Sequence, residues 1–191
     1  MSKNIFNAAG RGNIKELQRF INKGIDVNSV TENGLSPLFI ASEFAHVEAI
    51  QFLIDNGANI HHRTNRGFTP LLQSCNSSNI RTMKCLIENG ADLDALTEDG
   101  ENVLMLVSRH GRLETVKFLI EIGFKITYVD PDGYTPLIYC AYNLNSGDEI
   151  ARFYLKNGLD INHKTKDDKT LESLATSIPN TKLLDFLKQQ N

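Results

Sequence analysis

Apolar residues fall at i, i+3 and i+4 in "HVEAIQFLIDNG" (46–57) and again in "RLETVKFLIEIG" (112–123). That spacing lays one apolar stripe along one face of a helix. The stripe recurs in register: Leu17, Ile50, Met83 and Val116 form one column, and Phe20, Leu53, Leu86, Leu119 and Tyr154 another. Ahead of each such helix the pattern predicts a shorter one with a small residue on its packed face, at Ala8, Ala41 and Ser74. Ser36, Thr69, Asn102, Thr135 and Thr170 each stand where a side-chain oxygen can satisfy an orphan backbone N–H and cap this first helix. Pro37, Pro70 and Pro136 follow at the first helical position, where a missing N–H costs nothing. The pair turns at Gly12, Ala45, Ser78 and Gly111.

Glycines punctuate the same pattern. Gly34, Gly67, Gly100 and Gly133 open the phrases "GLSPL", "GFTPL", "GENVL" and "GYTPL" at a constant spacing of 33. Gly24, Gly57, Gly90, Gly123 and Gly158 close the second helices, with the last interval stretched to 35. A closing glycine suits the left-handed position just past a helix end. The polar stretches that follow, such as "ANIHHRTNRG" and "ADLDALTEDG", read as extended turns or hairpins. A helix pair of this size cannot bury its own apolar face, so neighbouring copies must stack to complete the core.

The "G-x-T-P-L-x-x-A" opening, the "L-I-x-x-G-A" closing and the period of 33 resemble the ankyrin repeat over essentially the whole chain. The resemblance implies an all-α solenoid of stacked helix-turn-helix units with β-hairpin-like loops. On that pattern 1–191 is one repeat domain: a capping unit at about 1–30, full repeats at about 31–63, 64–96, 97–129 and 130–164, and a C-terminal cap at about 165–191. The sequence departs from the family at the position after "TPL", where Phe39, Leu72, Met105 and Ile138 replace the usual histidine. "GENVL" has Val103 in place of proline, which marks 97–129 as the repeat expected to have the least regular opening turn. Two extra residues in "AYNLNSGDEI" place an insertion between the helices of the fourth repeat, at 143–149, expected to be a surface loop.

Composition narrows the function classes. A chain of 191 residues with 41% hydrophobic and 23% charged residues is an ordinary globular composition. A net charge of −3 disfavours a nucleic-acid partner. No apolar run approaches the roughly 18 residues that a membrane span requires, and the N-terminus lacks an apolar leader core. The expectation is a soluble intracellular protein, cytoplasmic, with the nucleus or a host-cell cytosol as other compartments it admits, and monomeric. Cys75, Cys85 and Cys140 lack metal-ligand spacing and sit within apolar helical patterns, so they read as reduced core residues. His61 and His62 lie on a turn, far from His163, and make no metal set. His46, just after an inter-helix turn, reads as structural. No catalytic constellation, phosphate loop or cofactor motif stands out from the repeats, so no enzyme, cofactor or metal is expected.

What remains is surface. The family's usual partner-binding side is formed by loop tips and first helices, and by position this assigns Leu35, Phe68, Glu101 and Tyr134 just after the opening glycines. Phe44, Arg109, His110 and Tyr142 follow on the first helices, and Arg66 at a loop tip. Several aromatic and apolar residues in solvent-facing slots suggest an interaction patch, and aromatics and arginine are enriched in binding hot spots. Phe68 and Tyr134 are the expected anchors, with Arg66 and Arg109 supplying polar specificity. The sequence therefore reads as a non-catalytic protein–protein interaction module for an unidentified protein partner, an adaptor, inhibitor or effector. The alternative is a sensor that binds an anionic small ligand or RNA through Arg11, Arg63, Arg66, Arg109 and His110.

Overall fold

A computed structural model describes residues 4–77 and 79–190; Ser78, one of the expected turn residues, lies outside them. The chain divides into two compact units, Met1–Glu98 and Asp99–Asn191. The first holds α1 (Ile5–Gly10), α2 (Ile14–Asn22), α3 (Pro37–Glu43), α4 (Val47–Asp55), α5 (Pro70–Ser74) and α6 (Ile80–Glu88). The second holds α7 (Val103–His110), α8 (Leu113–Glu121), α9 (Pro136–Tyr139), α10 (Gly147–Lys156), α11 (Leu171–Ser177) and α12 (Thr181–Lys188), with a 3-10 turn at Cys140–Tyr142 after α9. The architecture is all-α, and the stretches expected as hairpins are closed turns without strand pairing among the described residues.

Every expected cap forms. Ser36, Thr69, Asn102, Thr135 and Thr170 accept the backbone N–H three residues on, at 2.9 to 3.3 Å. The prolines of α3, α5 and α9 occupy the first turn. The opening turn of the 97–129 repeat is as regular as the others, with Gly100 at φ 80° and a cap bond of 2.9 Å from Asn102. Proline there is a convenience, because the Asn cap already satisfies the helix start.

Packing follows the columns. In the N-terminal unit α3 packs on α1, α4 and α5, while α4 packs on α2 and α6. In the C-terminal unit α9 packs on α7, α10 and α11, and α12 packs on α10 and α11. Leu17, Ile50, Met83 and Val116 are fully buried, as are Leu53, Leu86, Leu119 and Tyr154. Burial of each aliphatic member contributes about 1.5–3 kcal/mol. Only Phe20 of that second column is half-buried, in the N-terminal capping unit.

Three side chains hydrogen-bond the carbonyls of the opening glycines. His62 bonds Gly34 O at 2.7 Å and His163 bonds Gly133 O at 2.8 Å, and Tyr128 donates its hydroxyl to Gly100 O at 2.9 Å. These side chains tie the closing loop of a repeat to that repeat's own opening glycine. His46 does the equivalent at the other end of its helix pair, with Nε2 3.1 Å from Gly10 O.

The insertion is an anchored segment and not a free loop. Asn143 is buried; its Nδ2 donates to Ser108 O at 3.1 Å and Gly111 O at 2.9 Å, and its Oδ1 accepts from Asn145 N and Ser146 N. Asn180 reaches back from the start of α12 and donates to Ala141 O and Asn143 O, both at 3.1 Å. Leu144 and Asn145 stand clear in the middle, Leu144 56% exposed.

Candidate partner-binding site

The N-terminal unit presents its candidates loosely. Phe44 closes α3 and is 56% exposed, its ring stacked on His46 with centroids 6.4 Å apart. Leu35 and Phe68 are half-buried, tucked where the chain enters α3 and α5. Their backbone N–H groups donate to Thr31 and Thr64, which fixes each loop base. Arg66 is exposed and holds its guanidinium 5.9 Å from the Phe68 ring centroid. Arg63 is engaged as a donor to Leu96 O.

The C-terminal unit is different, because here the candidates meet. Arg109, in the last turn of α7, lies 4.8 Å from the Tyr139 ring centroid and 5.4 Å from that of Tyr142. Its Nη2 donates to Glu101 Oε1 at 2.5 Å. Glu101 was expected to face solvent, yet it is 6% exposed. A buried carboxylate is tolerated only when paired, and Arg109 provides the pair. Tyr134, Tyr139 and Tyr142 pack in sequence, with centroids 5.7 and 6.1 Å apart. Tyr139 Oη donates to Asp130 Oδ2 at 3.2 Å, and Asp130 Oδ1 accepts from the backbone of Asp132 and Tyr134. The Tyr142 and Lys169 side chains interact electrostatically with the Tyr134 hydroxyl.

Electrostatics set the protonation of this cluster. Burial, then the charge and hydrogen bond of Glu101, push the Tyr139 phenol far above its ordinary range. Burial and the Tyr134 hydroxyl raise Tyr142 against the opposing charges of Arg109 and Lys169. The hydrogen bond to Tyr134 raises Lys169. Partial desolvation lowers the His110 imidazole, with Arg109 adding to the effect and Glu101 opposing it. At neutral pH the Tyr139 and Tyr142 phenols therefore stay protonated, Lys169 stays charged and His110 is neutral.

Of the sequence candidates, Glu101, Arg109, Tyr134 and Tyr142 come together, with His110 beside them. Tyr139, Asp130 and Lys169 complete the cluster and were not foreseen. Asp130 carried a signal: its column reads Thr31, Thr64, Thr97, Asp130 and Thr165. The threonines accept backbone N–H groups through their single hydroxyl oxygen, from Arg66 and Phe68 at Thr64 and from Lys169 at Thr165. Aspartate does the same and keeps a second oxygen for Tyr139. Among the described residues no group of His, Cys, Asp and Glu is arranged to hold a metal ion. No helix among them is long and apolar enough to cross a membrane.

A family profile described as ankyrin repeats (3 copies) matches residues 5–97 and again 73–165. The chain belongs to the ankyrin-repeat family. The human ASB11 ankyrin repeat domain superposes with a TM-score of 0.81 at 26% identity, over 98% of this chain and 83% of that one. EF0377, an ankyrin repeat protein, gives 0.77 at 25% identity over 98% and 97%. A Bdellovibrio bacteriovorus structure of the predatory endopeptidase Bd0816 in complex with the immunity protein Bd3460 gives 0.81 at 23% identity, covering 100% and 99%, a likeness of fold alone. No curated protein matches the chain in sequence. Ankyrin membership explains the arrangement of the candidates: opening-glycine slots and first-helix ends recur once per repeat, so side chains from successive repeats become neighbours within a unit.

Proposed function

We propose that this chain is a non-catalytic protein-binding module that acts as a monomer and holds its partner on loop tips and first-helix ends. Leu35, Phe44, Arg66 and Phe68 contribute in the N-terminal unit; Glu101, Arg109, His110, Tyr134 and Tyr142 contribute in the C-terminal one. The observation that carries this reading is Arg109, held by Glu101 against the rings of Tyr139 and Tyr142. Arginine and tyrosine dominate binding hot spots, and a side chain already fixed loses little rotamer entropy on docking. The exposed Phe44 ring gives the N-terminal unit a contact of the same kind. An anionic small ligand or RNA is the weaker reading, since Arg109 is neutralised by Glu101 and Arg63 is turned to a backbone carbonyl.

The test is affinity capture from source-cell lysate with the wild-type chain and a Phe44→Glu, Arg66→Glu variant, both positions being exposed. The expected result is a protein retained by the wild type and lost by the variant. Capture of nucleic acid alone, or of nothing, would sink the proposal.

A further inference from the structure

In the N-terminal unit one junction between successive loops is closed by a carboxamide. Asn28 Nδ2 donates to Gly57 O at 3.0 Å, and Asn28 Oδ1 accepts the backbone N–H of Asn59 at 2.7 Å. Counted along the repeats, the corresponding positions in the C-terminal unit are Thr127, Gly158 and Asp160. Thr127 carries no amide, and no hydrogen bond among the described residues engages Gly158 O or Asp160 N. The same loop departs from its column a second time. Asp26, Asn59, Asp92 and Asp160 each accept the backbone N–H two residues on, at 2.8 to 3.0 Å. Lys125 takes that place in the 97–129 repeat, and an ammonium has no lone pair to accept with.

Where both polar functions are missing, a pocket of about 210 Å³ stands open, with Ile126, Thr127, Val129, Gly158, Leu159 and Asp160 in its lining. Val129, 45% exposed, leaves it accessible from solvent. Drug-sized ligands occupy roughly 300 Å³ or more, so the space suits a single side chain. We infer that this pocket is a carboxamide subsite, which takes an Asn or Gln side chain of the protein partner as Asn28 fills the junction in the other unit. The incoming oxygen accepts from Asp160 N, the incoming NH₂ donates to Gly158 O, and the methylene stem lies against Ile126, Val129 and Leu159. The inference rests on the protein-binding reading and adds a contact outside the Arg109 cluster. A carboxylate is a poor substitute, because it has no donor for Gly158 O and meets the charge of Asp160, the one carboxylate in the lining.

The probe is N-acetyl-glutamine methylamide, titrated into the isotope-labelled full chain and followed by NMR of the backbone amides, with N-acetyl-glutamate methylamide as the matched acid. Two variants accompany it. Thr127→Asn gives the pocket a plug of its own, and Asn28→Thr opens the corresponding junction in the N-terminal unit; both positions are exposed, so neither change disturbs a core. The expected result is a concentration-dependent shift of the Leu159 and Asp160 signals in the wild type. The acid should bind about fivefold more weakly, the worth of one net hydrogen bond. Thr127→Asn should abolish the response and slow the exchange of the Asp160 N–H with solvent, while Asn28→Thr should gain a response at Asn59. No shift in the wild type, equal binding of amide and acid, or a response retained in Thr127→Asn overturns the subsite. Each of these leaves the protein-binding reading standing, since the lysate capture with the Phe44 and Arg66 variant decides that reading separately.

Discussion

Asn143→Asp tests whether the two-residue insertion is held by its asparagine. The change is nearly isosteric, but it replaces the Nδ2 donor with an oxygen that faces Ser108 O and Gly111 O at 3.1 and 2.9 Å. Two donated bonds are lost at a net of about 1 kcal/mol each, and a buried carbonyl left without a donor costs about 1–3 kcal/mol. The expected loss at pH 7 is therefore about 4 kcal/mol. With a urea dependence of about 2 kcal/mol per molar, the unfolding midpoint should drop by about 2 M. All four partners of Asn143 are backbone groups, so none offers a countercharge. Burial then raises the folded pKa of the introduced carboxyl above its unfolded value of about 3.9. A group raised in this way contributes its full stability below the unfolded pKa and loses it as pH rises through the folded one. The deficit against wild type should accordingly shrink from pH 7 towards pH 4. Asn143→Ala, which removes the same bonds without a charge, should show no such trend. A variant within about 0.5 kcal/mol of wild type at pH 7, or a deficit independent of pH, would refute this account of the insertion.

Three further outcomes follow from the backbone and the thiols. Gly123 (φ 105°) and Gly133 (φ 87°) share left-handed geometry, but an added Cβ meets nothing at Gly123 and would sit 3.0 Å from Lys166 N and 3.1 Å from Thr165 Cα at Gly133. Gly123→Ala should cost about 1 kcal/mol in urea unfolding and Gly133→Ala at least about 1 kcal/mol more; equal costs would contradict the close approach. Asp168 adopts φ 57° at the slot where earlier repeats carry an opening glycine, so Asp168→Gly should raise stability by about 0.5 kcal/mol, and a loss would mean that its pair with Lys164 at 3.5 Å outweighs the strain. Burial raises the thiols of Cys75 and Cys140, and Cys85 is raised by burial and then by the charges of Glu88, Asp55 and Glu48. Ellman's reagent on native protein should reach only Cys85, and slowly; rapid reaction of a second thiol would show that the core opens.

The repeat pattern made the fold legible because each recurring residue answers a local need. A cap oxygen must stand before a helix, a glycine must stand where φ is positive, and an apolar residue must stand where two helices meet. Such needs are the same in every repeat, so periodicity exposes them: Thr135 caps α9 for the reason that Ser36 caps α3. The stiffness of the insertion escaped notice because its anchor is tertiary. Asn143 and Asn180 act on carbonyls more than thirty residues away, in a repeat with no second copy of the arrangement to compare. Asp168 escaped for the opposite reason, standing in for a glycine in a column whose last interval is stretched, where the substitution looks like ordinary loop polarity.

The candidate site was half legible, and the missing half shows how a periodic chain separates stacking from recognition. A column that keeps its character through every repeat serves the stack, as Leu53, Leu86 and Leu119 do. A column that breaks its character in one repeat is free of that demand there. The breaks converge on the C-terminal unit: Leu35 and Phe68 give way to Glu101 and Tyr134, Glu43 and Asn76 to Arg109 and Tyr142, and Ile40, Gln73 and Leu106 to Tyr139. Asp130 interrupts the threonines of the loop base. Each substitution taken alone reads as surface variation, and Glu101 alone reads as a solvated charge. Taken together they are mutually required, since buried Glu101 needs Arg109, Arg109 rests on Tyr139 and Tyr142, and Tyr139 is fixed by Asp130. Folding by repeat stacking demands none of these pairings, because Phe68, Asn76, Leu106 and Thr97 fill the corresponding slots of neighbouring repeats. That is the physical ground on which the proposed function rests its choice of Arg109.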